Sequence, residues 1–195
     1  MTDEKIKQAI VILNQGGIVI YPTDTAFGIG CRIDHKESIQ KLFRIRQRPE
    51  IQAVPVLVNG LDMAKKYMEI TEEVKNKLIV KFWPGALTII MHCNNPTVSS
   101  LVMGGGTTIG LRMPDHTTTL SLISGIGVPL LGPSANFHGG KTPYKFSDLD
   151  QELIKLVDYV LPGECKTKQA STVINCTVQP WKVIREGAVE FVNST

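Results

Sequence analysis

The sequence lacks most of the features that make a chemistry obvious. Its four cysteines, Cys31, Cys93, Cys165 and Cys176, show no C-x-x-C spacing, which argues against a zinc site, a dithiol redox pair or a disulfide framework. Its four histidines, His35, His92, His116 and His138, are scattered without metal-ligand spacing. There is no G-x-x-x-x-G-K-[ST] loop, so a P-loop nucleotide site is excluded. No catalytic triad or dedicated base can be picked out. Nor is there a long apolar run: residues 1–7 are polar and the apolar stretch after them is too short to span a membrane. A cytoplasmic protein without a membrane partner is the expectation. No repeat, low-complexity segment or linker divides the 195 residues, which predicts one domain over 1–195. Neither sign of charge dominates. A net charge of +3 permits a phosphate or nucleic acid ligand without arguing for one.

What is present is organised around residues 18–30, IVIYPTDTAFGIG. Ile18, Val19, Ile20 and Tyr21 are β-branched or aromatic and suit a strand buried on both faces. Pro22 ends it, because proline brings no N–H to a sheet ladder. Thr23, Asp24 and Thr25 then form a polar loop beyond the carboxyl end of a buried strand, the place where open α/β sheets hold ligands. An ordinary loop, its Thr and Asp side chains bonding their own backbone, is an equal alternative from this stretch alone.

Around it, strands and helices alternate. Ile6, Ile10 and Leu13 share one helical face that ends at Gly16-Gly17. Asp34 with Glu37 predicts a capping box opening a helix whose stripe is Ile39, Leu42 and Phe43, and which must stop before Pro49. An apolar strand is expected over 54–58, a helix over 61–68, and another from Thr71 as N-cap to Phe82, broken by Trp83-Pro84-Gly85. Strands follow over 87–91 and 108–112, separated by a long mobile loop at 93–107. A helix over 117–126 and a strand over 128–131 come next. A helix opened by Ser147 carries Leu149, Leu153, Ile154 and Val157, and short strands at 171–175, 182–185 and 189–192 close the chain. The pattern predicts an α/β layered domain with one mixed sheet.

Two further stretches can carry chemistry. Residues 44–52, RIRQRPEIQ, put Arg44, Arg46 and Arg48 at a helix end. There they either complement the helix dipole as a solvated face or hold a phosphate. Residues 132–143, GPSANFHGGKTP, place Ser134, Asn136, Lys141 and Thr142 among glycines after a buried strand. Such a loop suits an oxyanion or phosphate, and suits a plain connector equally.

Read in order, PTDTAFGIG, R-x-R-P, W-P-G-x-L-T at 83–88, G-L-R-M-P-D-H at 110–116, P-S-A-N, S-T-V-I from Ser171 and R-E-G from Arg185 resemble the YrdC/Sua5 family. The likeness extends from about Gly16 to about Gly187, and the chain resembles the family's short single-domain form. It implies a YrdC-like fold, a twisted mixed parallel and antiparallel sheet with flanking helices and a basic concave face. It implies a reaction as well: L-threonine, bicarbonate and ATP give threonylcarbamoyl-adenylate and pyrophosphate. That product serves the N6-threonylcarbamoyl modification of adenosine 37 in tRNA, completed by a separate transferase complex. By resemblance, Thr25, Arg112, Gly132 and Ser171 hold threonine. Arg48, Thr108, Ser134, Thr142 and Arg185 hold ATP, with Asn136 in the same signature. Arg46 and Arg48 supply positioning and charge, and Mg²⁺ is the expected companion of ATP.

The chain departs from the family pattern at Arg46, where lysine is usual, and at Phe27, where tyrosine is usual. It has Gln52 and Leu57 where some members carry asparagine and histidine. The alternative to a synthase is therefore a YrdC-like paralogue that binds double-stranded RNA or tRNA.

Overall fold

The computed structural model describes residues 3–191. In chain order, α1 (Asp3–Asn14) leads to β1 (Val19–Tyr21), which folds back as β2 (Gly28–Gly30) before α2 (Lys36–Arg46), β3 (Val56–Leu57) and α3 (Leu61–Ala64). Next, α4 (Glu72–Val74) continues through a π-helical turn (Lys75–Ile79) into α5 (Val80–Phe82). The strands β4 (Leu87–His92) and β5 (Thr108–Arg112) precede α6 (Thr117–Ile126) and β6 (Leu130–Leu131). A 3-10 turn (Phe146–Asp148), α7 (Gln151–Lys155), β7 (Tyr159–Val160), β8 (Thr172–Asn175) and β9 (Lys182–Arg185) complete the described chain.

Instead of one mixed sheet there are two, in the orders β2-β1-β7 and β6-β3-β5-β4-β8-β9. Each mixes directions: β1 is antiparallel to β2 and parallel to β7, while β4 is antiparallel to β5 and parallel to β8. Isolated bridges Gly28↔Ser134 and Arg32↔Leu130 stitch the two sheets together. Ile29 N donates to Pro133 O at 2.9 Å and Ala135 N to Phe27 O at 2.8 Å along this seam. The loop after β1 and the loop after β6 are thereby laid side by side.

The core explains why β1 reads as apolar throughout. Ile18 and Ile20 face one cluster with Ile39, Leu42, Val56, Leu87 and Ile89, whereas Val19 and Tyr21 face a second with Leu13, Leu122 and Ile123. Successive strand residues point to opposite faces, and both faces are covered here. Tyr21 also accounts for the glycine opposite it, Gly28. Its hydroxyl donates to Leu131 O at 2.5 Å, and its ring lies where side chains on β2 would stand. A Cβ on Gly28 would come within 2.9 Å of that ring, and one on Gly30 within 1.9 Å of Leu131 O.

Several expectations need correction. The N-cap of α2 is His35, which accepts from Ser38 N at 3.4 Å; Asp34 is taken by an ion pair with Arg32. Thr71 caps α4 as expected, accepting from Val74 N at 3.2 Å. The segment 93–107 is folded rather than loose: hydrogen-bonded turns run along it, and Val98 and Val102 are buried in the core. The helix expected from Ser147 begins at Gln151, because Asp150 accepts from Glu152 N and Leu153 N and caps it there. Residues 189–191 form no strand; Val189 instead bonds the Thr172 hydroxyl, and Val192 lies outside the described residues.

Candidate functional site

The loop after β1 is braced from within. Thr23 Oγ1 accepts from Thr25 N at 3.1 Å and Ala26 N at 3.2 Å while donating to Ala26 O at 2.7 Å. This local bonding is what small hydroxyl side chains do in turns. It also turns Asp24 and Thr25 toward the end of β5, where Arg112 waits.

Arg112 is 6% exposed and Asp24 2%. The guanidinium donates through Nε to Gly85 O at 3.0 Å, through Nη1 to Thr25 Oγ1 at 2.7 Å, and through Nη2 to the Asp24 carboxylate. Burial draws its pKa below the ordinary arginine value, and the Asp24 charge opposes that shift. A buried cation needs such a partner. Asp24 is in turn held by its own carbonyl, which accepts from Lys166 N at 3.0 Å and Thr167 N at 2.8 Å.

On the facing side, Thr88 of β4 and Ser171, just before its parallel partner β8, bring their hydroxyls to 2.9 Å. Arg185 of β9 donates to Ser171 O through Nε at 3.0 Å and Nη2 at 2.8 Å, and to Ser171 Oγ at 2.9 Å. Gly132 closes the floor: a Cβ there would fall within 2.5 Å of Leu57 Cγ.

One cleft brings together Thr25, Arg112, Gly132 and Ser171. Ser134, Thr142 and Arg185 line the same cleft, as do Phe27 and Leu57. A second hollow continues from it past Pro55, Thr88 and Arg185, and is lined by Arg48 and Thr108 over an apolar floor that includes Ile90 and Val173. Arg48 is held by backbone, donating to Gln52 O at 3.1 Å and Ala53 O at 2.5 Å. Gln52 therefore contributes its carbonyl to the site's frame. Neither Arg48 nor Arg185 has a carboxylate within ion-pairing distance among the described residues. Partial burial lowers both pKa values, yet a guanidinium stays cationic at neutral pH. The second hollow thus combines two guanidiniums without carboxylate partners among the described residues with an apolar floor.

Arg46 and Asn136 line neither space. Arg46 is buried and donates through Nε to Asn136 O at 3.1 Å; Arg44 is exposed, so the three arginines do not converge on one point. Two contributors escaped the sequence reading. Asp24 was visible only as one of three oxygen-bearing loop residues, and its partner lies 88 positions away. Thr88 carried no signal beyond its place in W-P-G-x-L-T. Among the described residues no three His, Cys, Asp or Glu side chains gather as a metal cage, and Asp24 is committed to Arg112. The donor set does not fit a protein-held Mg²⁺.

Residues 11–187 match the Sua5/YciO/YrdC family, described as telomere recombination. The chain is 31% identical over 191 residues to the threonylcarbamoyl-AMP synthase of Bacillus subtilis, covering 96% of this chain and 54% of that protein. It is 29% identical over 183 residues to the uncharacterized protein YciO of Escherichia coli, covering 93% and 88%. The structure of Pyrococcus abyssi Sua5 complexed with L-threonine superposes with a TM-score of 0.88 at 26% identity, over 96% of this chain and 55% of that one. The chain therefore spans about half the length of the Bacillus and Pyrococcus proteins. With a match over nearly its whole length and a fold shared with these structures, this chain belongs to the Sua5/YciO/YrdC family.

Proposed function

We propose that the chain condenses L-threonine, bicarbonate and ATP into threonylcarbamoyl-adenylate with release of pyrophosphate. The observation that carries this reading is one continuous cleft with two unlike halves. One holds Arg112, paired with Asp24; the other holds Arg48, and Arg185 stands where the two meet, both of these without a carboxylate partner among the described residues. A small zwitterion suits the first half and a polyphosphate the second. Thr25, Arg112, Gly132 and Ser171 are the proposed threonine contacts. Arg48, Thr108, Ser134, Thr142 and Arg185 are those for ATP.

In the proposed sequence bicarbonate loses hydroxide to give carbon dioxide, the neutral threonine amine attacks that carbon as one C=O pair moves onto oxygen, and the amine proton joins the hydroxide as water, leaving a carbamate. A carbamate oxygen then attacks the α-phosphorus; that P–O bond forms as the bond to pyrophosphate breaks. The step needs in-line placement and neutralised oxygens, which fixed guanidiniums and hydroxyls supply without a dedicated base. Mg²⁺ would travel with the nucleotide's own phosphates, and no step is assigned to it. The product would pass to a transferase complex that modifies adenosine 37 of tRNA, in the cytoplasm.

Phe27 and Leu57 put apolar side chains in the cleft wall, and their departure from the tyrosine usual in the family resemblance and the histidine of some members keeps an RNA-binding paralogue as the second reading. Among the described residues no helix is long and apolar enough to cross a membrane. The test is pyrophosphate release from ATP and bicarbonate with and without L-threonine. Release that requires L-threonine is expected. No release would move the assignment to the RNA-binding reading, and release independent of threonine would remove threonine as the substrate.

A further inference from the structure

Arg46 stands at the last position of α2, at the family's signature, yet its side chain is 3% exposed and faces neither hollow. Its Nε donates to Asn136 O at 3.1 Å, and its own carbonyl accepts from His138 N at 2.8 Å. Asn136 then closes the next turn, its Nδ2 donating to Phe137 O and Gly140 O, both at 2.8 Å. The far end of the loop is tied by Phe27 N to Pro143 O at 2.9 Å. Ser134 and Thr142, the two residues this loop sends to the cleft, lie on either side of that anchored turn.

We infer that Arg46 is a positioning residue, acting through the backbone of Asn136 to hold Ser134 and Thr142 against the cleft rather than by touching the nucleotide. This rests on the reading of the cleft as an ATP site. Stability does not explain the residue. Burial beside Arg48 lowers its pKa to about 10, no carboxylate offsets its charge among the described residues, and its Nη1, like Asn136 Oδ1, is buried without a partner among them. An apolar side chain of the same length would fill the space without that desolvation. What the arginine adds is a donor aimed at one carbonyl.

Three substitutions separate donor from charge. Arg46→Lys keeps both, Arg46→Gln keeps a donor only, and Arg46→Met keeps neither. The measurements are kinetics of threonine-dependent pyrophosphate release, and hydrogen exchange of the Asn136, His138 and Gly140 amides in the ligand-free protein. We expect kcat/KM for ATP to stay within about threefold of wild type for lysine and glutamine, and to fall about 10- to 100-fold for methionine, the scale of losing precise placement. The three amides should exchange about tenfold faster in the methionine variant, as expected when a local opening becomes easier, while its thermal midpoint is not lowered. A residue that merely supported the fold would lower both together. Glutamine as poor as methionine, with lysine active, would show that Arg46 acts by charge on a ligand and would overturn the inference. So would unchanged exchange in the methionine variant. If that variant does not fold, glutamine against lysine decides: near-equal rates support the inference and a tenfold deficit for glutamine contradicts it. The exchange arm needs neither ATP nor turnover, so an inactive wild type would remove the synthase reading and leave this inference still tested.

Discussion

The two halves of the cleft use the same side chain in opposite ways. Arg112 is buried, and three of its five N–H groups are taken by Asp24, Thr25 and Gly85 O. Arg48 and Arg185 are half-buried or exposed and are steered only by carbonyls and a hydroxyl. A carboxylate partner both neutralises and orients a guanidinium, whereas a carbonyl orients it and leaves its charge free for a ligand. Arginine alone therefore says little about anion binding. The groups already bonded to it decide what it can still do.

Breaking the buried pair should have the largest effect. Asp24→Ala leaves Arg112 an uncompensated buried cation and should lower unfolding free energy by about 3–5 kcal/mol. Arg185→Ala strands no charge and should cost under about 1 kcal/mol. Urea unfolding of the two variants measures this, and equal losses would erase the distinction between the halves. A smaller effect is expected for the substrate itself. Thr25 and Ser171 hydroxyls are already bonded to Arg112, Thr88 and Arg185, so they keep only part of their capacity for a threonine hydroxyl. L-Threonine should bind about tenfold more tightly than L-valine, the value of roughly one hydrogen bond. Equal binding in a calorimeter would count against threonine.

The sequence carries clear signals where the physics is local. The strand before Pro22, the helix Thr117–Ile126 and the Thr71 cap all follow from periodicity and capping chemistry. Pairings across long separations were not legible. β2 is only Gly-Ile-Gly, and it pairs with β1 where side chains at Gly28 and Gly30 would strike the Tyr21 ring and Leu131 O. β7 is two residues long and aligns with β1 from across the chain, so the division into two sheets left no trace in any window. Asp34 looked like a cap and lost that role to His35 because Arg32 captured it. At the site, the residue types in the loops were visible, but the Asp24–Arg112 pair that distinguishes one half from the other is purely tertiary.

The division of the cleft is tested most directly by titrating Arg48→Ala with ATP and, separately, with L-threonine. Of the two halves of the cleft, Arg48 lines only the second, and it has no carboxylate partner among the described residues. ATP affinity should fall by about tenfold or more, the value of one charged contact to phosphate, while L-threonine affinity stays within about twofold. An ATP affinity that does not change, or a parallel loss for both ligands, would contradict the account.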